Sequence, residues 1–266
     1  MSACDVFLFA AGLGTRLRPF TEKNPKPVLP LLSYPLGLYT LPYIEHAPVK
    51  NFIVNTFHLP DQVHQLYKKT QFNPQFSDET GFIKGSAGGL KQAEHLFTAG
   101  APILAINADE VMFTKDSDFL KKAYDYHLKN NNLATLIVKE HPGVGHEFGG
   151  IWCEDQTVHN ISKTAPAGTK LKGWHFIGYQ FLSPEVIKLV EKNKETNIFY
   201  DILIKQINTN RVKIYPVHAD WYETGNLNDY KKAKFAIAEK LLTQKEYKDF
   251  YSEMKKYPMS DLPDLD

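Results

Sequence analysis

An α/β fold, with a mostly parallel sheet covered by helices on both faces, is the class this sequence predicts. Three observations carry that expectation. Short runs of strand length alternate with segments of helical period over most of the chain. Those runs are mostly apolar instead of alternating, as strands buried on both faces are. The chain has 266 residues, 43% hydrophobic and 23% charged, enough to bury a sizeable core without disulfides or structural metals.

Strand-like runs fall at residues 5–10, 51–55, 102–106 and 133–139. Helical segments lie between them at about 36–47, 60–69, 87–98 and 116–131. Pro42 sits inside the first helical segment, so that helix is expected to be short or kinked. The segment from 116 is capped by Asp116 or Ser117 and puts Phe119, Leu120, Ala123, Tyr124 and Leu128 on one face. From about 141 to 182 the pattern changes. Gly149 to Glu154, Thr157 to Lys163 and Trp174 to Leu182 read as strands joined by Gly- and Pro-containing turns, an inserted mixed sheet. Helices are expected from Ser183-Pro184-Glu185 and near Asn197, then a strand over 211–217 and helices over about 227–256. No repeat or linker divides residues 1–258, which read as a single domain. The acidic, proline-containing tail 259–266 is expected to be disordered.

With 31 Lys+Arg against 30 Asp+Glu the net charge is +1, which gives no electrostatic footprint for nucleic acid or an anionic membrane. A phosphate site must therefore be local. No apolar run approaches the roughly 18 residues of a membrane span. Asp5 stands where a signal peptide carries basic residues, so a cytoplasmic protein is expected. Cys4 and Cys153 cannot build a disulfide framework, which fits a reducing compartment. Nothing in the pattern implies a protein partner.

The most informative segment follows the first strand. Gly12 and Gly14 free the backbone to curl and aim N–H groups at an anion. The dinucleotide fingerprint needs a third glycine where Leu17 stands, and the Gly-Lys-Ser/Thr of a Walker A loop is absent. What remains is Gly12-Leu13-Gly14-Thr15-Arg16-Leu17-Arg18-Pro19-Phe20-Thr21 followed by Pro25-Lys26-Pro27. This resembles the sugar-1-phosphate nucleotidyltransferases, whose signature is Gly-x-Gly-Thr-Arg-Leu-x-Pro-x-Thr and then Pro-Lys-Pro. The likeness runs to about residue 235. Gly85-Ser-Ala-Gly88-Gly89 resembles the family's second glycine motif, and Asn107-Ala108-Asp109 its Asn-Gly-Asp. Phe148-Gly149, the strand through Gly178, and Trp221-Tyr-Glu223-Thr-Gly225 resemble its later motifs. Lys84, Ala108 and Glu223 depart from the usual leucine, glycine and aspartate, and Ser162 stands where a sugar-binding glutamate would be.

The resemblance implies a Rossmann-like three-layer α/β/α nucleotidyltransferase fold. It also implies transfer of a nucleoside monophosphate to a sugar 1-phosphate with release of pyrophosphate. A phosphate monoester has a second pKa of about 6, so the nucleophile needs no general base and catalysis reduces to alignment and charge neutralisation. On the resemblance, Ala11, Gly12, Leu13, Gly14, Thr15, Gly85 and Gly88 hold the nucleotide, and Arg16 and Lys26 serve the phosphates. Asn107, Gly149, Lys163 and Gly178 are the sugar-side candidates. Asp109 and Glu223 would hold Mg²⁺. The partners implied are an NTP (UTP, GTP, dTTP or CTP) and a sugar 1-phosphate. A different phosphate acceptor such as phosphocholine, or a non-catalytic nucleotide-sugar sensor, are the alternatives.

Overall fold

The computed structural model describes residues 3–265. Strand β1 (Cys4–Phe9) sends Val6 and Leu8 into one core and Phe7 into the other, as the two-residue period of a strand requires. Helix α1 (Phe20–Lys23) and the hairpin of β2 (Pro30–Leu31) and β3 (Tyr34–Pro35) follow. Helix α2 (Leu41–Glu45) is short, with Pro42 in its first turn, where a missing N–H costs nothing. Next come β4 (Val49–Thr56), α3 (Pro60–Lys68) and β5 (Gln75–Asp78). Helix α4 (Gly85–Gln92) leads to β6 (Ile103–Asn107) and β7 (Val111–Phe113).

Helix α5 (Phe119–Lys129) corrects the expected face in one place. Its N-cap is Asp118, and the buried stripe takes His127 where Leu128 was expected, leaving Leu128 43% exposed. His127 tolerates burial because its Nδ1 hydrogen-bonds Thr135 Oγ1 on the next strand, 2.9 Å away. That strand is β8 (Ala134–Lys139). Then come β9 (Gly150–Glu154), β10 (Thr157–Ser162) and the long β11 (Lys172–Leu182). Helix α6 (Glu185–Lys188) is followed by a wide turn over Ile198–Ile202, where Asn197 accepts from the N–H groups of Phe199 and Tyr200. Strands β12 (Val212–Pro216) and β13 (Asp220–Tyr222) precede α7 (Leu227–Thr243) and α8 (Lys245–Met254).

Nine strands form one sheet in the order β5-β4-β1-β6-β11-β8-β12-β10-β9. The first four are mutually parallel, as is the pair β8–β12. Strand β11 runs antiparallel between β6 and β8, so the sheet is mixed at its centre. The 141–182 segment therefore builds no sheet of its own. The start of β11 pairs with β9 and its remainder with β8 and β6. Its register on β8 shifts between Phe176 and Gln180, where Gly178 takes a left-handed φ of +80°. Helices α2, α3, α5, α7 and α8 cover one face; α4, α6 and the turns after it cover the other.

The tail expected to be disordered is packed. Ser260 N donates to Ser33 O at 3.0 Å, Asp264 pairs with Lys234 at 3.1 Å, and Leu265 is 5% exposed within the larger core. One apolar anchor and a basic partner on α7 outweigh the acidic composition. Asp266 lies outside the described residues. No helix among the described residues is long and apolar enough to cross a membrane.

Candidate active site

Phe9 and Asn107 are register partners at the carboxyl ends of β1 and β6. Ligands of open α/β sheets bind at such strand ends. The glycine loop leaves β1 at this point. Gly14 has φ +61°, and a Cβ there would meet Thr21 Cγ2 at 2.7 Å, so the turn requires glycine. Thr21 Oγ1 closes the loop by donating to Gly14 O at 2.9 Å. A tight turn over Thr15–Leu17 buries Leu17 and leaves Arg16 exposed, with Leu13 at the loop's outer edge. Lys26 is held between Pro25 and Pro27 at the start of another tight turn.

These pieces surround a cavity of about 220 Å³ lined by Gly12, Gly14, Arg16, Lys26, Asp109 and Gly225. The Lys26 ammonium bonds Asp109 Oδ2. Burial pushes the Asp109 carboxyl upward, but the charges of Lys26 and Arg16 outweigh it and hold the group below the usual carboxylate range. Thr224 Oγ1 donates to Asp109 O at 3.4 Å, tying the turn after β13 to the turn after β6. Glu223 Oε1 accepts from Gly225 N at 2.5 Å. A Cβ on Gly225 would lie 2.3 Å from that oxygen and 2.6 Å from Arg16 Nη2, so both charged groups converge on this glycine.

A second cavity of about 190 Å³ adjoins the first, sharing Phe9 and Gly12, and is lined also by Ala11, Asn55, Glu79, Gly85 and Asn107. Asn55 Nδ2 and Lys84 N both donate to the buried Glu79 carboxylate at 2.7 Å, and Asn55 Oδ1 accepts from Ala10 N at 2.9 Å. Burial pushes the Glu79 carboxyl up. Gly85 (φ +70°) sits at this wall, whereas Gly88 packs on the Lys194 carbonyl, which a Cβ would approach to 2.7 Å. Gly88, expected at the nucleotide, instead lets α4 lie close to the 194–196 segment.

The sugar-side candidates are dispersed. Asn107 belongs to the second cavity. Gly149 is exposed, with Tyr200 Oη 3.7 Å and Lys163 Cα 4.0 Å from where its Cβ would be. Lys163 is exposed and has no polar partner among the described residues. Phe148 joins a ring cluster with His141, His175 and Trp221, its closest centroids 4.4 Å apart. Burial, reinforced by His141 and Lys139, pushes His175 down to about 4. Gly178 faces no open space: a Cβ there would sit 2.1 Å from Glu110 Cγ. Glu110, absent from the sequence expectations, accepts from Asn107 Nδ2 and Trp221 Nε1, each at 2.8 Å. Burial and the adjacent Asp109 charge push Glu110 up to about 7. A second acid directly after Asp109 was the available signal. Asn55 and Glu79 had none, since their roles depend on β4 and β5 lying side by side.

Residues 6–240 match the Nucleotidyl transferase family. The chain belongs to it. Among curated nucleotidyl transferases it is 25% identical over 241 residues to the UTP–glucose-1-phosphate uridylyltransferase of Synechocystis sp., covering 85% of this chain and 61% of that protein. It is also 25% identical over 234 residues to mannose-1-phosphate guanyltransferase 2 of Candida glabrata, covering 84% and 62%. The chain thus spans less than two thirds of the length of these relatives. A solved UDP-glucose pyrophosphorylase in complex with UDP-glucose superposes with a TM-score of 0.74 at 20% identity, over 90% of this chain and 99% of that one. The UTP-bound UGPase of Acinetobacter baumannii gives 0.72 at 16%, over 95% and 99%. At such identities the likeness establishes the fold.

Nucleotidyl transferases are expected to use a divalent metal. Among the described residues no three His, Cys, Asp or Glu cluster as a ready-made cage. Magnesium needs none, since it takes one or two carboxylates and completes its shell with phosphates and water. Asp109, on the cavity wall with its side chain 31% exposed, meets that requirement, and Glu223 lies at the same edge beside Gly225.

Proposed function

We propose that the chain transfers a nucleoside monophosphate from an NTP to a sugar 1-phosphate, with release of pyrophosphate. The observation that carries this reading is the pair of adjoining cavities. One is rich in cations and loop N–H groups, and the other is uncharged but for Glu79; they meet at Phe9 and Gly12. A nucleotide laid across them has its triphosphate at Arg16 and Lys26 and its base toward Gly85. Arg16, a planar fork, neutralises the departing β- and γ-phosphates. Lys26 holds the α-phosphate and the incoming phosphate in line, and the backbone from Ala11 to Thr15 cradles the nucleotide. Mg²⁺, held by Asp109 and Glu223, would supply further charge neutralisation. Gly149 and Lys163 border the acceptor. An NTP substrate is consistent with a reaction in the cytoplasm.

The test is a matrix of UTP, GTP, dTTP and CTP against hexose 1-phosphates, with and without Mg²⁺, read by pyrophosphate release. Turnover with one hexose 1-phosphate and loss on chelation are expected. Turnover with phosphocholine alone would replace the acceptor class. Nucleotide binding without turnover for any acceptor would leave a sensor.

A further inference from the structure

Glu110 is a half-buried carboxylate that the proposed reaction leaves without a task. It lies between two halves of the site: Asn107 Nδ2 donates to its Oε1 and Trp221 Nε1 to its Oε2, both at 2.8 Å. A space is kept for it. Gly178 stands at the register shift of β11 with φ +80°, and any Cβ there would enter the Glu110 side chain. Trp221 on β13 can only donate, so it fixes one carboxylate oxygen and with it the carboxylate plane. The other oxygen accepts from Asn107, and an amide whose nitrogen is engaged on one side points its oxygen to the other.

That oxygen has a destination. Asn107 lines the cavity that holds Gly12 and Gly85, while Ala108 and Asp109, the next two residues, line the phosphate cavity. Asn107 therefore stands at the junction, where a nucleotide spanning both would place its ribose. Asn107 Oδ1 makes no hydrogen bond to any described residue. We propose that Glu110 is a positioning residue: it turns the Asn107 amide so that Oδ1 faces the junction and accepts a hydrogen bond from a ribose hydroxyl. The inference rests on the nucleotide placement proposed above, but not on the identity of the acceptor.

A site built to bond a hydroxyl rejects an analogue lacking it, because the protein group is left unpaired. The experiment is calorimetric titration, without acceptor, of whichever of UTP, GTP and CTP binds most tightly, and of its 2′-deoxy and 3′-deoxy forms. Wild type should bind the parent about tenfold more tightly than one deoxy form, and that form names the hydroxyl. Glu110→Gln should weaken the parent by about tenfold and abolish the preference, as should Asn107→Leu. N107D combined with E110Q restores a donor facing an acceptor, and Trp221 keeps an oxygen to bond. That double variant should recover both affinity and preference. Equal binding of all three forms by wild type overturns the proposal. So does a preference that survives in Glu110→Gln, a uniform weakening of all three nucleotides in that variant, or a double variant that recovers nothing. If wild type shows the preference, Glu110→Gln loses it and the double variant recovers it, yet no acceptor is turned over, the role of Glu110 stands while the transfer reaction falls.

Discussion

On the proposed reading, the phosphate end and the acceptor end of this site are built on different plans. At the phosphate end, Gly14 and Arg16 stand on the turn that leaves β1, Lys26 on a later tight turn, and Asp109 two residues after β6. Charge and loop geometry do the work, with little reliance on packing. At the acceptor end the groups come from four distant stretches, near 148, 163, 175 and 221, and rings replace charges. Ser162 there is turned onto its own strand end, its Oγ donating to Thr164 O at 2.7 Å. The contrast teaches that charged groups can be placed by local turns, whereas a wall of rings has to be assembled by tertiary packing.

The largest effects should arise at the phosphate end. Arg16→Ala and Lys26→Ala should each lower turnover by about 10²-fold or more with unchanged thermal melts, since fixed charge at the reacting centre is a leading catalytic contribution. Asp109→Asn should likewise remove activity and keep the fold; a collapsed melt instead would make Asp109 a structural cap. Glu223 marks the border between the two plans. Glu223→Gln should abolish turnover and Glu223→Asp retain part of it with a raised Mg²⁺ requirement, and full activity in Glu223→Gln would move this carboxylate out of the site.

At the acceptor end the readout is stability. His175 is 7% exposed with Nε2 unpartnered, and its folded pKa of about 4 lies below the ordinary 6.5. The fold holds it neutral, while the unfolded chain takes up a proton first. Its contribution is therefore complete above about pH 6.5 and is lost as pH falls from there toward 4, on the order of 3 kcal/mol. Melts of His175→Phe should show a flatter decline over that window than wild type, and parallel declines would locate the titration elsewhere. Gly178→Ala should cost about 1–3 kcal/mol through its left-handed backbone and crowd Glu110, so a melt matching wild type would refute the close approach of Glu110 to Gly178. Lys163→Ala should be smallest, raising the acceptor KM severalfold at constant kcat; no change would make it a solvated surface lysine.

Legibility in the sequence divides along the same line. Strands β1, β4, β6 and β8 announce themselves as apolar runs because both faces are buried. Strand β5 does not, since Gln75 and Asp78 are exposed, and β7 and β13 are three residues each, too short for any period. The glycine loop, Arg16, Lys26 and Asp109, which line one cavity, could be named as candidates because each lies in a short motif of neighbouring residues. Glu79 could not, because its partner Asn55 arrives from another strand through tertiary register, and Glu110 offered only its place after Asp109, since Trp221 reaches it from β13. Gly88 misled for the same reason: a glycine that admits a neighbouring carbonyl looks, in sequence, like one that admits a phosphate. The tail misled through composition, which gives no weight to a single leucine with a place to go.

The antiparallel strand at the centre of the sheet also orders events in time. Strands β5, β4, β1 and β6 come from the first 107 residues and pair only with one another until β11 arrives. A chain growing from its N-terminus therefore displays the outer edge of β6, the strand leading to Asp109, until residues 179–182 have been made. An open edge of that kind templates pairing with other chains. During synthesis the vulnerable interval falls between completion of the parallel half of the sheet and delivery of the strand that seals it.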